Sequence, residues 1–180
     1  MSTTNPLPAL KRYITTHSPT GKAIFSTSLP EDNTFNAGRG NVSDAYATQG
    51  FPPDLNSDQD IDVYKSILSN PTGIAVPNGS VLRFVDVSPA AFIPLHRTVS
   101  LDYGIVISGE VELILDSGES RLLKPGDLAI QRGTMHAWKN GSETEWARMV
   151  FVVTDCKPIT VNGATLAEDL RSFQAGLASE

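Results

Sequence analysis

The stretch from Pro94 to Asn140, PLHRTVSLDYGIVISGEVELILDSGESRLLKPGDLAIQRGTMHAWKN, decides how this chain folds. Apolar and polar residues alternate along it, and turn signals interrupt the alternation at regular spacing. DYGIVIS (Asp102 to Ser108) and EVELILD (Glu110 to Asp116) flank Gly109. Ser117-Gly118 makes a tight turn into ESRLLK (Glu119 to Lys124), and Pro125-Gly126 fits the central positions of a type II turn. DLAIQRG (Asp127 to Gly133) and HAWKN (His136 to Asn140) follow. This pattern predicts hairpin-linked antiparallel strands with one face buried, because strands buried on both faces read as unbroken apolar runs. Two of the three histidines, His96 and His136, lie in this stretch with Asp102 between them.

The same period extends outward. SVLRFVDV (Ser80 to Val87), AFIPLHRT (Ala91 to Thr98) and WARMVFVV (Trp146 to Val153) add strands, which together predict an all-β sandwich or small barrel. Upstream, LKRYITTH (Leu10 to His17) and KAIFSTSL (Lys22 to Leu29) read as a hairpin across Ser18-Pro19-Thr20-Gly21. Pro30 to Pro53 has the composition of turns, and Arg39 and Phe51 in it are candidate ligand contacts. DIDVYKSILSN (Asp60 to Asn70) reads as a short helix capped by Asp58 or Asp60, with Ile61, Tyr64 and Leu68 on one face. Near the end, Thr165-Leu166-Ala167-Glu168 is a capping box, and Leu166, Leu170, Phe173 and Leu177 follow at helical spacing. The chain divides into an arm, strands and loop over 1–79, a barrel core over 80–156 and a helical tail over 157–180, in one structural domain.

Composition narrows the function classes. A chain of 180 residues with 40% apolar content suits one domain with a full core. Its apolar runs fall short of a bilayer span, and no leader pattern opens it, so no membrane association is expected. The single cysteine, Cys156, excludes an internal disulfide and points to the cytoplasm. A net charge of −6 without a Lys/Arg block argues against nucleic acid as a partner. A small molecule is the expected ligand.

Alternation puts His96 and Thr98 on one face, and His136, Trp138 and Asn140 on one face of a later strand. In a closed barrel His96, Asp102 and His136 converge at the mouth. Two imidazoles and a carboxylate suit either a divalent metal (Zn, Fe or Mn) with open positions, or metal-free acid–base work in which Asp102 orients one imidazole. Thr98 and Trp138 are then pocket wall. Arg83, pointing inward in one register, is placed to hold a carboxylate or enolate oxygen, and Arg132 is a second substrate contact near the mouth. Arg97 and Tyr103 alternate away from the pocket.

HRTVSLDYG together with QRGTMHAWKN resembles the two signature motifs of the cupin superfamily, small jelly-roll β-barrels. His96 matches the first motif's opening His, Asp102 its Glu position and Gly109 its closing Gly, while Thr98 stands where a second His is usual. Gly126 opens the second motif. Arg132 stands where Pro would, Gly133 falls one residue away from the usual Gly, and His136 and Asn140 keep the His-to-Asn spacing. The chain is similar to single-domain cupins of fungi and bacteria, some of which accompany fungal polyketide gene sets. The resemblance implies a cupin jelly-roll β-barrel with an N-terminal extension, one short helix and a C-terminal helix, assembled as a homodimer. It implies at most a reduced metal set of His96, Asp102 and His136 with waters, since threonine is a poor ligand. Within the superfamily's range, the reading is a lyase or isomerase that dehydrates, decarboxylates or enolises a polyketide-like oxygenated substrate. A non-haem Fe(II) dioxygenase and a non-catalytic ligand-binding protein are the alternatives.

Overall fold

In the computed structural model, residues 4–35, 41–71 and 73–172 are described. The N-terminal arm carries four short strands: β1 (Leu10–Lys11), β2 (Thr15–His17), β3 (Ala23–Phe25) and β4 (Asp32–Asn33). β2 and β3 form the expected hairpin, and Gly21 takes the positive φ its turn requires. β5 (Val42–Gln49) comes next, then α1 (Gln59–Ser69). The barrel strands are β6 (Gly79–Val87), β7 (Phe92–His96), β8 (Ser100–Ser108), β9 (Val111–Leu115), β10 (Ser120–Leu123), β11 (Leu128–Arg132), β12 (His136–Asn140) and β13 (Ala147–Asp155). A last hairpin joins β14 (Ile159–Val161) to β15 (Ala164–Leu166).

Two antiparallel sheets make the jelly roll. One has the order β10-β9-β12-β7, the other β11-β8-β13-β6-β5. They are bonded as separate sheets, so the expected closed tube is a two-sheet barrel with a wall on either side of its interior. The apolar inward positions of both sheets, among them Val87, Val106, Val111, Leu123, Trp138 and Met149, pack into one core. A second cluster, built on Tyr64, Ala47, Val76, Val81 and Val153, seats α1 against the β5–β6 side.

Three local expectations change. The segment from Pro30 to Pro53 is not all loop, because β5 pairs with β6 on both sides of a register shift at Ala45 and buries Ser43, Asp44, Ala45 and Ala47. Asp58 precedes α1 in the left-handed region without capping it, and its carboxylate accepts the Thr16 hydroxyl at 2.6 Å instead. The capping box does not start the C-terminal helix where expected: Thr165 and Leu166 lie in β15, the backbone of Asp169 bridges to Arg97, and the first helical residues described are 171 and 172. Phe173 and Leu177 of the apolar stripe lie outside the described residues. Among the described residues, no helix is long and apolar enough to cross a membrane.

Gly109 turns β8 into β9 at φ 69°, and a Cβ there would stand 2.7 Å from the Ala147 backbone and from the Trp146 carbonyl. Gly109→Ala combines left-handed strain with overpacking, so it is expected to cost about 2 kcal/mol in urea denaturation. A variant as stable as the wild type would mean that this turn relaxes freely.

Candidate functional site

β7 and β12 are neighbours, and their register places His136 directly opposite His96. That pairing, and not convergence across a barrel mouth, brings the two imidazoles together, with ring centroids 4.4 Å apart at 53°. A β-bulge follows His136 and re-aims the strand before Trp138. The Trp138 indole meets His136 edge-on at 5.9 Å and Phe151 at 5.8 Å, forming an aromatic wall.

Each imidazole is fixed in the same way. His96 Nδ1 donates to the Pro94 carbonyl at 2.8 Å, and His136 Nδ1 to the Thr134 carbonyl at 2.9 Å. In the neutral ring this leaves the lone pair on Nε2 in both residues. The orienting role that the sequence assigned to Asp102 is therefore taken by backbone carbonyls two residues back along each chain segment.

Asp102 belongs to the other sheet and faces the same interior. His96, Thr98, Asp102, His136, Arg83 and Trp138 all line one cavity of about 650 Å³. Val85, Val87, Ile93, Met149, Phe151 and Val153 make the rest of its wall largely apolar. Thr98 Oγ1 lies 2.6 Å from Ser100 Oγ, and Ser100 in turn supports the Asp102 carboxyl. Arg83 is inward and 8% exposed, with its Nε 2.6 Å from Asp44 Oδ1. It is thus half of a buried ion pair, and its charge is offset before any ligand arrives. Arg132 does not reach this cavity. It is exposed and lines an outer groove beside Arg97 and Ile159. The reason is parity: on β11 Ala129 and Gln131 point inward, which turns Arg132 out. Arg97 and Tyr103 face outward as expected, Phe51 is exposed, and Arg39 lies outside the described residues.

Sequence reasoning missed Asp44, Asp86, Ser100, Gln131 and Arg148, all buried. Asp86 lines the cavity and forms a two-pronged ion pair with Arg148, Nε to Oδ1 at 2.6 Å and Nη2 to Oδ2 at 2.7 Å. Continued alternation from His96 through Thr98 to Ser100 and Asp102 was a signal available for Ser100. For the others the sequence holds none short of the register.

Burial sets the protonation states. It lowers the His96 pKa, and it lowers that of His136 to about 4, helped by the neighbouring His96. It raises Asp102 to about 6, against opposing pulls from Ser100 and Arg83. Near neutrality the site therefore holds two neutral imidazoles beside a carboxyl that titrates near 6. These shifts act on stability with opposite signs. His136 contributes stability that is present above about pH 6.5 and is lost as pH falls toward 4. Asp102, whose folded value is raised, favours the native state below about 3.8 and loses that contribution as pH rises through 6. Each effect is roughly 3 kcal/mol, so in the wild type they largely cancel between pH 4 and 6.5. Asp102→Asn is expected to steepen the loss of stability on acidification, and His136→Asn to reverse it. Urea denaturation at the two ends of that window checks both; identical slopes in the variants and the wild type would contradict the assignment.

Among the described residues, no group of three or more His, Cys, Asp and Glu side chains is placed to hold a metal ion. The donor set that the sequence proposed is thus divided between two sheets, with the imidazole pair on one and Asp102 on the other. As placed, these three residues do not make a three-ligand centre.

The fold and this interior define a cupin-type barrel with a histidine pair in its wall. A family model described as "Cupin domain" matches residues 83–153, the strands that carry the site. The chain is 51% identical to "Phomopsin biosynthesis cluster protein C'" of Diaporthe leptostromiformis, over 86% of this chain and 83% of the relative. It is 42% identical to "Oryzines biosynthesis cluster protein J" of Aspergillus oryzae, over 91% and 92%. It is 41% identical to "Cupin-domain-containing oxidoreductase virC" of Hypocrea virens, over 92% and 87%. The chain belongs to the cupin superfamily.

Proposed function

We propose that this protein is a small-molecule enzyme of secondary metabolism that moves a proton next to a carbonyl, with lyase or isomerase chemistry as the outcome. The names of its relatives, drawn from fungal biosynthesis clusters, support the metabolic setting. The observation that carries the chemistry is the pair of Nδ1-anchored imidazoles, 4.4 Å apart, in the wall of a largely apolar cavity that also holds Asp102.

The substrate is an apolar, oxygenated molecule such as a polyketide-derived aldehyde or ketone. An apolar skeleton fits the Val, Ile, Met and Phe wall, and the polar end takes the carbonyl. One imidazole accepts the proton from the carbon beside the carbonyl through Nε2. Neither neutral imidazole has an N–H left to donate, because Nδ1–H is held by the backbone. The proton for the carbonyl oxygen therefore comes from protonated Asp102, whose pKa near 6 suits that role. The transfer leaves an imidazolium and a carboxylate, with a neutral enol between them. Loss of a hydroxyl beta to the carbonyl as water, with the imidazolium supplying its proton, or return of the proton at another carbon, completes the reaction. Arg83 is already matched by Asp44, so the site offers no surplus cation for a carboxylate substrate.

Incubation with a panel of aromatic and alkyl aldehydes and ketones in deuterated buffer tests this. Carbon-bound deuterium is expected in at least one of them with the wild type and not with the His96→Asn/His136→Asn double variant. Equal incorporation by both proteins refutes the proposal. A second reading follows from a relative's name as an oxidoreductase. Stoichiometric iron in protein purified without chelator, with dioxygen uptake on adding the same panel and no deuterium exchange, would favour it.

A further inference from the structure

We infer that Gln131 is a positioning residue that joins the two halves of the site, one end of its amide serving the Asp102 carboxyl and the other the loop that aims His136. Nothing in the cupin resemblance or the proposed reaction assigns Gln131 a role, and the inference holds whether or not the proton-transfer reading does.

Gln131 on β11 stands directly opposite Asp102 on β8. Side chains at such positions share a face, with Cβ atoms about 5 Å apart. Both are buried, at 3% and 6% exposure. The Oε1 end of the Gln131 amide accepts the Thr134 hydroxyl at 2.7 Å. Thr134 then offers its own carbonyl to His136 Nδ1–H. At the other end, Gln131 Nε2 is buried without a hydrogen-bond partner, and so is Asp102 Oδ1.

A buried donor and a buried acceptor, both unmet, on facing residues of adjacent strands are costly apart and complementary together. The terminal torsion of glutamine is broad, so the amide is free to turn Nε2–H toward Oδ1. The resulting chain runs Asp102, Gln131, Thr134, His136, from the five-stranded sheet to the four-stranded one. Other groups act on Asp102 from elsewhere. Arg83, with Asp44 behind it, and Ser100 act from the larger sheet and Cys156 from beyond β13, while the two imidazoles line the same cavity from the opposite wall. Gln131 differs in holding the 132–135 loop as well.

The test is spectroscopic and uses the ligand-free full chain, so it is independent of any substrate. Nitrogen-15 NMR reads the Gln131 side-chain amide and the tautomers of both site histidines. In the wild type the Gln131 amide protons are expected to be protected from exchange, and Asp102→Ala is expected to shift them and to speed their exchange. Gln131→Met, which keeps volume but bonds to neither neighbour, is expected to leave His96 as the Nδ1–H tautomer and to drive His136 into a mixture. Gln131→Glu keeps an acceptor for Thr134, so it is expected to return His136 to Nδ1–H without restoring a donor to Asp102. Gln131 amide signals that are identical in the wild type and Asp102→Ala overturn the inference. So does an unmixed His136 in folded Gln131→Met. If Gln131→Met fails to fold, the wild-type and Asp102→Ala comparison decides alone.

Discussion

His136→Asn is expected to lower carbon-bound deuterium incorporation about a thousandfold, with the fold and the cavity intact. General acid–base groups contribute about 10²- to 10⁴-fold, and a proton acceptor that is removed outright belongs in the upper part of that range. Asparagine keeps a planar polar group of smaller size in the wall, so the loss reports chemistry more than packing. His96→Asn is expected to cost a comparable factor, because the two rings form one unit in the register of β7 and β12. The double variant then loses little more than either single one, as expected of residues that act together. The pH profile gives an independent check. The base must be unprotonated, which fails below about 4 for His136, and the acid must be protonated, which fails above about 6 for Asp102. Rates are therefore expected to peak between those values, and Asp102→Asn to lower the rate and remove the alkaline limb. A His136→Asn protein within threefold of the wild type, with an unchanged melting temperature, would place the base elsewhere.

The strands from Ser80 onward were legible because their period of two is regular and because Gly109, Gly118 and Gly126 punctuate it at positive φ. The histidine pair was legible as a pair but not as neighbours, since nothing in the sequence states that β12 lies beside β7. Parity explains Arg132. Reading it by proximity to the mouth pointed it inward, whereas counting from Ala129 turns it out and turns Gln131 in. β5 was illegible because its buried positions include Ser43, Asp44 and Ala45, small or polar residues that read as turn material until Arg83 supplies the partner for Asp44. The false capping box has a related cause. Thr165 and Glu168 have the right spacing for a helix start, but the Ile159–Leu166 pairing claims Thr165 first. Asn140 kept its motif spacing for a structural reason: its side-chain amide binds the carbonyls of Val87, Ser88 and Glu145 and so ties β6 to the turn before β13. The motif's Asn is thus a staple, and its presence said nothing about which neighbours were ligands.

Arg148→Met is expected to cost about 3 to 5 kcal/mol and to lower the melting temperature by about 10 °C. Arg148 is 5% exposed and Asp86 3%, so their two parallel bonds stand largely out of reach of bulk water. Removing the guanidinium leaves a buried carboxylate with one remaining donor, Asn5 Nδ2 at 2.6 Å. The same change cuts the bond from Arg148 Nη1 to the Pro8 carbonyl at 2.7 Å, which holds the N-terminal arm on the barrel. Stability and arm attachment should therefore fail together, the first seen in urea denaturation and the second as faster hydrogen exchange or proteolysis before β1. The paired change Asp86→Leu/Arg148→Met separates the two. An apolar pair carries no unmet charge and is expected to recover most of the stability, as replaced buried ion pairs do. The arm, having lost both Arg148 and Asp86 as partners, is expected to stay loose. Asp86 also lines the cavity, so the paired variant makes that part of the wall apolar. If both variants denature at the wild-type urea concentration, the ion pair is not what fixes the arm to the sheet. If the paired variant is as unstable as Arg148→Met, the loss comes from missing arm contacts and not from a stranded charge.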